Sequence, residues 1–245
     1  MKKIFLMFFA VFMVFVNAIP SFASAESTEL NTDLQKIRNL DVNQELTIQI
    51  IKDNKQQRVV EVFEKDTGKI YRSIFNKKDN SFETVEIDKK TKIEKNVFSS
   101  KTFETQYNGE HLQSSQISPM SFSLIDSGSN LSGKFKYYVY TQKIWVVQCE
   151  GKSKNPTETS NNSSDLQSFR NSVNNLRGAE LRFSAAMGAA ATSTLIAAIT
   201  APTGWGPIVA TLTAVGAGAA AIAEAYNSYV YAKDCRFYFG RITIR

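Results

Sequence analysis

From Phe183 to Ala223 the chain carries no ionisable side chain, and Pro202, Gly204, Gly206 and Pro207 interrupt that stretch near its middle. A helix with no polar face must be buried, either in a protein core or in lipid. The two arms read FSAAMGAAATSTLIAAIT and IVATLTAVGAGAAAIA. At about 1.5 Å of rise per residue, each arm is long enough to cross about 30 Å of hydrocarbon. Ala, Gly and Thr outnumber Leu, Ile and Val, and each of the latter favours insertion by only about 0.3–0.6 kcal/mol. Such a marginal signal is compatible with export followed by conditional insertion into a membrane. The competing expectation is an Ala-rich hairpin packed inside a soluble core.

The insertion reading names its residues. Phe183, Gly188, Leu195, Ile196 and Ile199 serve the first arm, and Trp205 leads at the tip. Ile208, Val209, Leu212, Val215, Gly216, Gly218 and Ile222 serve the second, with the glycines allowing close helix–helix approach in lipid. Arg182, Tyr226, Tyr229 and Lys233 flank the base, where aromatic and cationic groups suit an interface.

The N-terminus reads as a secretory signal over residues 1–25. Lys2 and Lys3 precede an apolar run from Ile4 to Val16, and Ala23-Ser24-Ala25 places cleavage between Ala25 and Glu26. A secreted, extracellular location is therefore expected. Loss of Lys2 and Lys3 takes the formal charge from +6 to +4. That mild excess suits anionic lipid or wall polymer and is not a nucleic-acid footprint. Cys149 and Cys235 are the chain's two cysteines. In an exported chain the simplest expectation is one disulfide around the hairpin, the alternative being two free buried thiols.

Between these landmarks the pattern is α+β. ELTIQIIK, RVVEVFEK, KIYRSIFN, SFETVEID and TKIEKNVF alternate β-formers with charge and are separated by turn residues, predicting an antiparallel β-meander with a wet face. It occupies residues 26–120, and the sequence leaves open whether this region is a pro-segment, a shield or a receptor-binding part. Polar residues 99–133 predict a linker, with a processing site near Pro119. Residues 121–245 form the second unit: a strand KFKYYVYTQKIWVVQC, an amphipathic helix from Ser164 carrying Leu166, Phe169, Val173 and Leu176, the hairpin, and a closing strand CRFYFGRITIR. The hairpin is thus expected as an insert between two β-strands.

No catalytic constellation stands out. His111 lacks partners at metal spacing, and Gly151-Lys152-Ser153 imitates the end of a P-loop whose upstream glycine is replaced by Val146. No enzyme activity, cofactor or metal is expected.

The signal, the β-rich middle, the segment FSAAMGAAATSTLIAAITAPTGWGPIVATLTAVGAGAAAIAEA and the bracketing cysteines together resemble large secreted bacteriocins of Gram-positive bacteria, of the geobacillin type. The resemblance covers the architecture of the whole chain, but its local motif is compositional. It implies killing of related bacteria by permeabilising or depolarising their membranes. The partners would be bacterial membrane lipid, a cell-surface receptor or cognate immunity protein, and further copies of the chain within the membrane. The alternative is a secreted non-catalytic binding or immunity-type surface protein whose hairpin stays in its core.

Overall fold

The computed structural model describes residues 46–101, 122–188 and 192–244. The signal segment with its Ala25–Glu26 junction, His111 and Pro119 lie outside the described residues.

The chain is α+β and begins with an antiparallel β-meander. Strands β1 (Leu46–Asp53), β2 (Gln57–Glu64), β3 (Lys69–Asn76), β4 (Ser81–Ile87) and β5 (Glu94–Ser99) pair in sequence order into a five-stranded sheet. Asx turns set several of the connections. Asn54 Oδ1 accepts the Gln56 and Gln57 N–H groups, and Asp88 Oδ1 accepts those of Lys90 and Thr91. Alternation sorts the faces. Leu46, Ile48, Val60, Val62, Tyr71, Phe82 and Phe98 are buried in the first core. The outer face carries ion pairs instead, Arg72 bonding Glu61 at 2.7 Å and Glu94 at 2.6 Å, while Lys69 and Glu86 pair at 3.2 Å at the rim of the Tyr71 face.

A second sheet follows, ordered β6 (Leu124–Ser129), β7 (Phe135–Tyr140), β8 (Ile144–Cys149), β9 (Lys152–Lys154). Two expectations change here. β6 lies within the expected linker, because its polar LIDSGS forms an edge strand that needs no apolar face. The single strand expected before Cys149 is instead a hairpin, turned at the 3-10 segment Thr141–Lys143 where Gln142 and Lys143 adopt positive φ.

Four helices complete the described residues: α1 (Ser163–Met187), α2 (Thr192–Ile199), α3 (Trp205–Val215) and α4 (Ala219–Arg241). Two ion pairs at opposite ends, Arg182–Glu224 and Arg241–Asp165, fix α1 and α4 as antiparallel neighbours. Leu166, Phe169, Val173 and Leu176 of α1 meet Ala232, Cys235, Phe239 and Ile242 in a second core, closed by Phe135, Tyr137, Trp145 and Val147 of the second sheet. The closing strand expected from Cys235 is therefore helical as far as Arg241. Ala232, Cys235, Phe239 and Ile242 recur at three- and four-residue spacing, and that period wins once α1 supplies a partner stripe. The hairpin accordingly does not sit between two β-strands. It sits among helices, beneath the first sheet.

Candidate functional site

The uncharged stretch folds as α2 and α3, with the end of α1 on one side and the start of α4 on the other. Gly204 is extended and precedes α3, and Pro207 falls in its first turn, where its missing N–H costs nothing. Gly216 ends α3 in the left-handed region at φ 82°. The Ala217 N–H donates to the Leu212 carbonyl at 2.9 Å and the Gly216 N–H to the Thr213 carbonyl at 3.1 Å, closing a Schellman-type turn.

Every residue of α3 from Trp205 to Ala214 is buried. One side meets Val60, Val62, Tyr71 and Phe82 of the first sheet, and the same core holds Leu195, Ile196 and Ile199 of α2, Phe183 of α1, and Ile222 and Tyr229 of α4. The contact with the sheet is close. A Cβ on Gly206 would stand 2.6 Å from the Tyr71 ring. One polar set crosses the contact: Thr84 Oγ1 lies 3.0 Å from Ser73 Oγ and 2.7 Å from Thr211 Oγ1, which also donates to the Pro207 carbonyl at 2.9 Å, whereas Trp205 Nε1 and Thr213 Oγ1 are buried without a partner among the described residues.

Each expected membrane residue now has a place. Phe183, Leu195, Ile196, Ile199, Trp205, Ile208, Val209, Leu212 and Ile222 are all core residues, and Val215 packs at its margin. The expected glycines act as helix breaks and not as packing seams: Gly188 ends α1, Gly216 ends α3 and Gly218 precedes α4. With the arms broken in this way, no helix among the described residues is long and apolar enough to cross a membrane. Trp205 is not an exposed tip. It is fully buried, with its ring 5.1 Å from Tyr226 and 5.6 Å from Tyr229, so the aromatics expected at opposite ends of a bilayer meet in one cluster. Arg182 is engaged by Glu224 at 2.9 Å, and that bond holds the Glu224 carboxyl below its usual range. Lys233 stands over the Tyr229 ring, 5.3 Å from its centre.

The expected disulfide is overturned, since Cys149 and Cys235 are free buried thiols. The expectation rests on the presence of two cysteines in a chain expected to be exported; in the structure Cys149 ends β8 and Cys235 lies on α4. Burial pushes the Cys149 thiol up to about 11 and raises Cys235 well above its ordinary value.

A charged group that the sequence did not single out surrounds the corner after α2. Lys134, in the β6–β7 turn, donates to the Ala197 carbonyl at 3.4 Å. Arg236 of α4 donates to the Thr200 carbonyl and bonds Glu150 of the β8–β9 turn at 2.6 Å. Glu180 of α1 is buried, accepting from Asn130 Nδ2 at 2.8 Å and from the Leu131 N–H at 2.6 Å. Its burial raises its carboxyl to about 7, against the pull of those bonds and of Lys134 and Arg177. Burial likewise lowers the Lys134 ammonium from its usual value. Only the uncharged stretch hinted at this arrangement, because its helix ends must find polar partners from elsewhere in the chain.

No cluster of metal-ligating side chains occurs among the described residues. No family model, no curated protein and no solved structure matches this chain.

Proposed function

We propose that this is a secreted antibacterial protein that permeabilises target bacterial membranes, and that α2–α3 is the element it delivers to lipid. One observation carries the proposal: α3 carries no charge on any face and is buried from Trp205 to Ala214. Exposing Trp205, Ile208, Val209 and Leu212 to water would cost on the order of 10 kcal/mol, comparable to the whole stability of a domain. In water the helix stays sheathed. A bilayer returns most of that cost, so lipid is an environment that can receive the helix. Helices of this length reach only roughly half-way through the hydrocarbon. The proposed action is therefore a wedge in the outer leaflet. The resemblance to secreted bacteriocins and the mild positive charge point the same way.

The competing reading keeps α3 in place as the core of a secreted binding or immunity-type protein. The close fit of Gly206 to Tyr71 and the Thr84–Thr211 pair favour it. That pair also supplies the test. Thr84→Cys with Thr211→Cys places two thiols for a cross-link between sheet and helix. Dye release from anionic vesicles and growth inhibition of Gram-positive strains are then measured with and without reductant. The proposal expects release from the reduced protein and none from the oxidised form. Equal release from both forms would show that α3 need not leave the sheet. Absence of release and of inhibition by the unaltered protein would leave the packed-core reading standing.

A further inference from the structure

We infer that Lys134 and Arg236 form a clasp on the α2–α3 corner, and that opening this clasp frees α3 from the first sheet while the second core stays folded. The inference deepens the proposed function, because the element released is the one assigned to lipid.

Three observations support it. The first concerns where the polar anchors fall. α2 and α3 carry no charge, so charged groups can hold them only through their backbone. The two cations donate to carbonyls at the C-terminal end of α2, Ala197 and Thr200, where the helix dipole and the unpaired carbonyls favour positive charge. The second concerns where the anchors come from. Lys134 lies between β6 and β7, Arg236 lies on α4 beside Phe135 at 5.5 Å, and Glu150 lies between β8 and β9. The backbone N–H of Glu150 also donates to the Lys134 carbonyl at 2.7 Å, so Lys134 and the carboxylate that holds Arg236 sit on adjoining turns of the second sheet. The clasp thus joins the second core to a corner belonging to the first. The third is the cost of the arrangement. Burial lowers the Lys134 ammonium and raises the nearby Glu180 carboxyl, so these charges are held in an environment that penalises them. Such a group contributes positioning more readily than net stability.

The other end of α3 has a matching feature. Gly216 sits at φ 82°, with Arg58 Nη1 only 3.0 Å from where a Cβ would stand. The chain can pivot there at little conformational cost, since glycine adopts both signs of φ.

The test is amide hydrogen exchange on the full chain in solution, without lipid. Arg236→Gln removes the donor to Thr200. Glu150→Gln leaves Arg236 in place but removes its carboxylate partner, and serves if the first variant fails to fold. Exchange in α3 should rise by about tenfold in Arg236→Gln, and less in Glu150→Gln, with α1 and the second sheet unchanged. Acrylamide quenching of Trp205 in a Trp145→Phe background should rise in parallel. Unchanged α3 exchange in folded variants would overturn the clasp, as would a rise shared equally by both cores. Because no membrane is involved, the clasp can fail while vesicle leakage succeeds, and the reverse.

Discussion

Gly206 is the residue at which α3 approaches the first sheet most closely, and its missing side chain makes the approach possible. A methyl there would overlap the Tyr71 ring, whose hydroxyl is 3.5 Å from Glu64. Glu64 is itself bonded by Thr67 Oγ1 at 2.5 Å, and Tyr71 is buried, so a shift of the ring must disturb its packed neighbours. Gly206→Ala should lower stability by about 1–3 kcal/mol in urea unfolding, the usual cost of overpacking a filled core. A neutral effect would mean that α3 and the sheet separate easily. The cysteines make a second residue-scale case. Both thiols are buried with raised pKa, so Ellman's reagent should find no reactive thiol in the native protein and two after denaturation. The cysteine count alone does not separate free thiols from a disulfide, because it says nothing about which element each cysteine will occupy.

At the scale of elements, the contact between α1 and the β6–β7 turn depends on protonation. Glu180 faces Lys134 and the Asn130 and Leu131 donors from that turn, Arg177 from its own helix, and Cys235 from α4. Burial raises its folded pKa from 4.5 to about 7. The folded chain therefore holds an extra proton between those values. Stability from this group is fully present below about 4.5 and is lost as the pH rises through about 7, by roughly 3 kcal/mol on linkage. Unfolding free energies measured from pH 4.5 to 7.5 should show this decline, and Glu180→Gln should flatten it. An unchanged slope in the variant would assign the effect to another group. The meander and α1 were legible in the sequence, since alternation and three-to-four spacing are written in neighbouring residues. The last helix was not. CRFYFGRITIR alternates well enough for a strand, and only packing against α1 selects its helical stripe.

At the scale of the molecule, two cores are joined by two helices. Phe183 of α1 and Ile222, Ala225 and Tyr229 of α4 lie in the first core, while Leu166 to Leu176 and Ala232 to Ile242 lie in the second. Neither core can lose its helices without opening the other, so global unfolding should be one cooperative transition. The two tryptophans report separately, Trp145 from the second core and Trp205 from the first. Urea midpoints from single-tryptophan variants should coincide after correction for each substitution's own effect on stability. Two separated transitions would contradict the coupling. Local opening at the clasp would still occur beneath that transition, at a smaller free energy.

The sequence alone determined that the large apolar side chains between Phe183 and Ala223 would be hidden from water, because no charged face lies beside them, and Leu195 to Ala201 and Trp205 to Ala214 are buried. It determined the meander for a similar reason, since a period of two commits one face to burial. What it did not determine was where the uncharged stretch would hide. That depended on contacts distant in the chain: Tyr71 against Gly206, Thr84 against Thr211, and Lys134 and Arg236 against the end of α2. Burial is a property of composition, but the partner that provides it is a property of the tertiary structure. Glycines suited to close packing in lipid became helix ends, and aromatics suited to two interfaces became one cluster around Trp205.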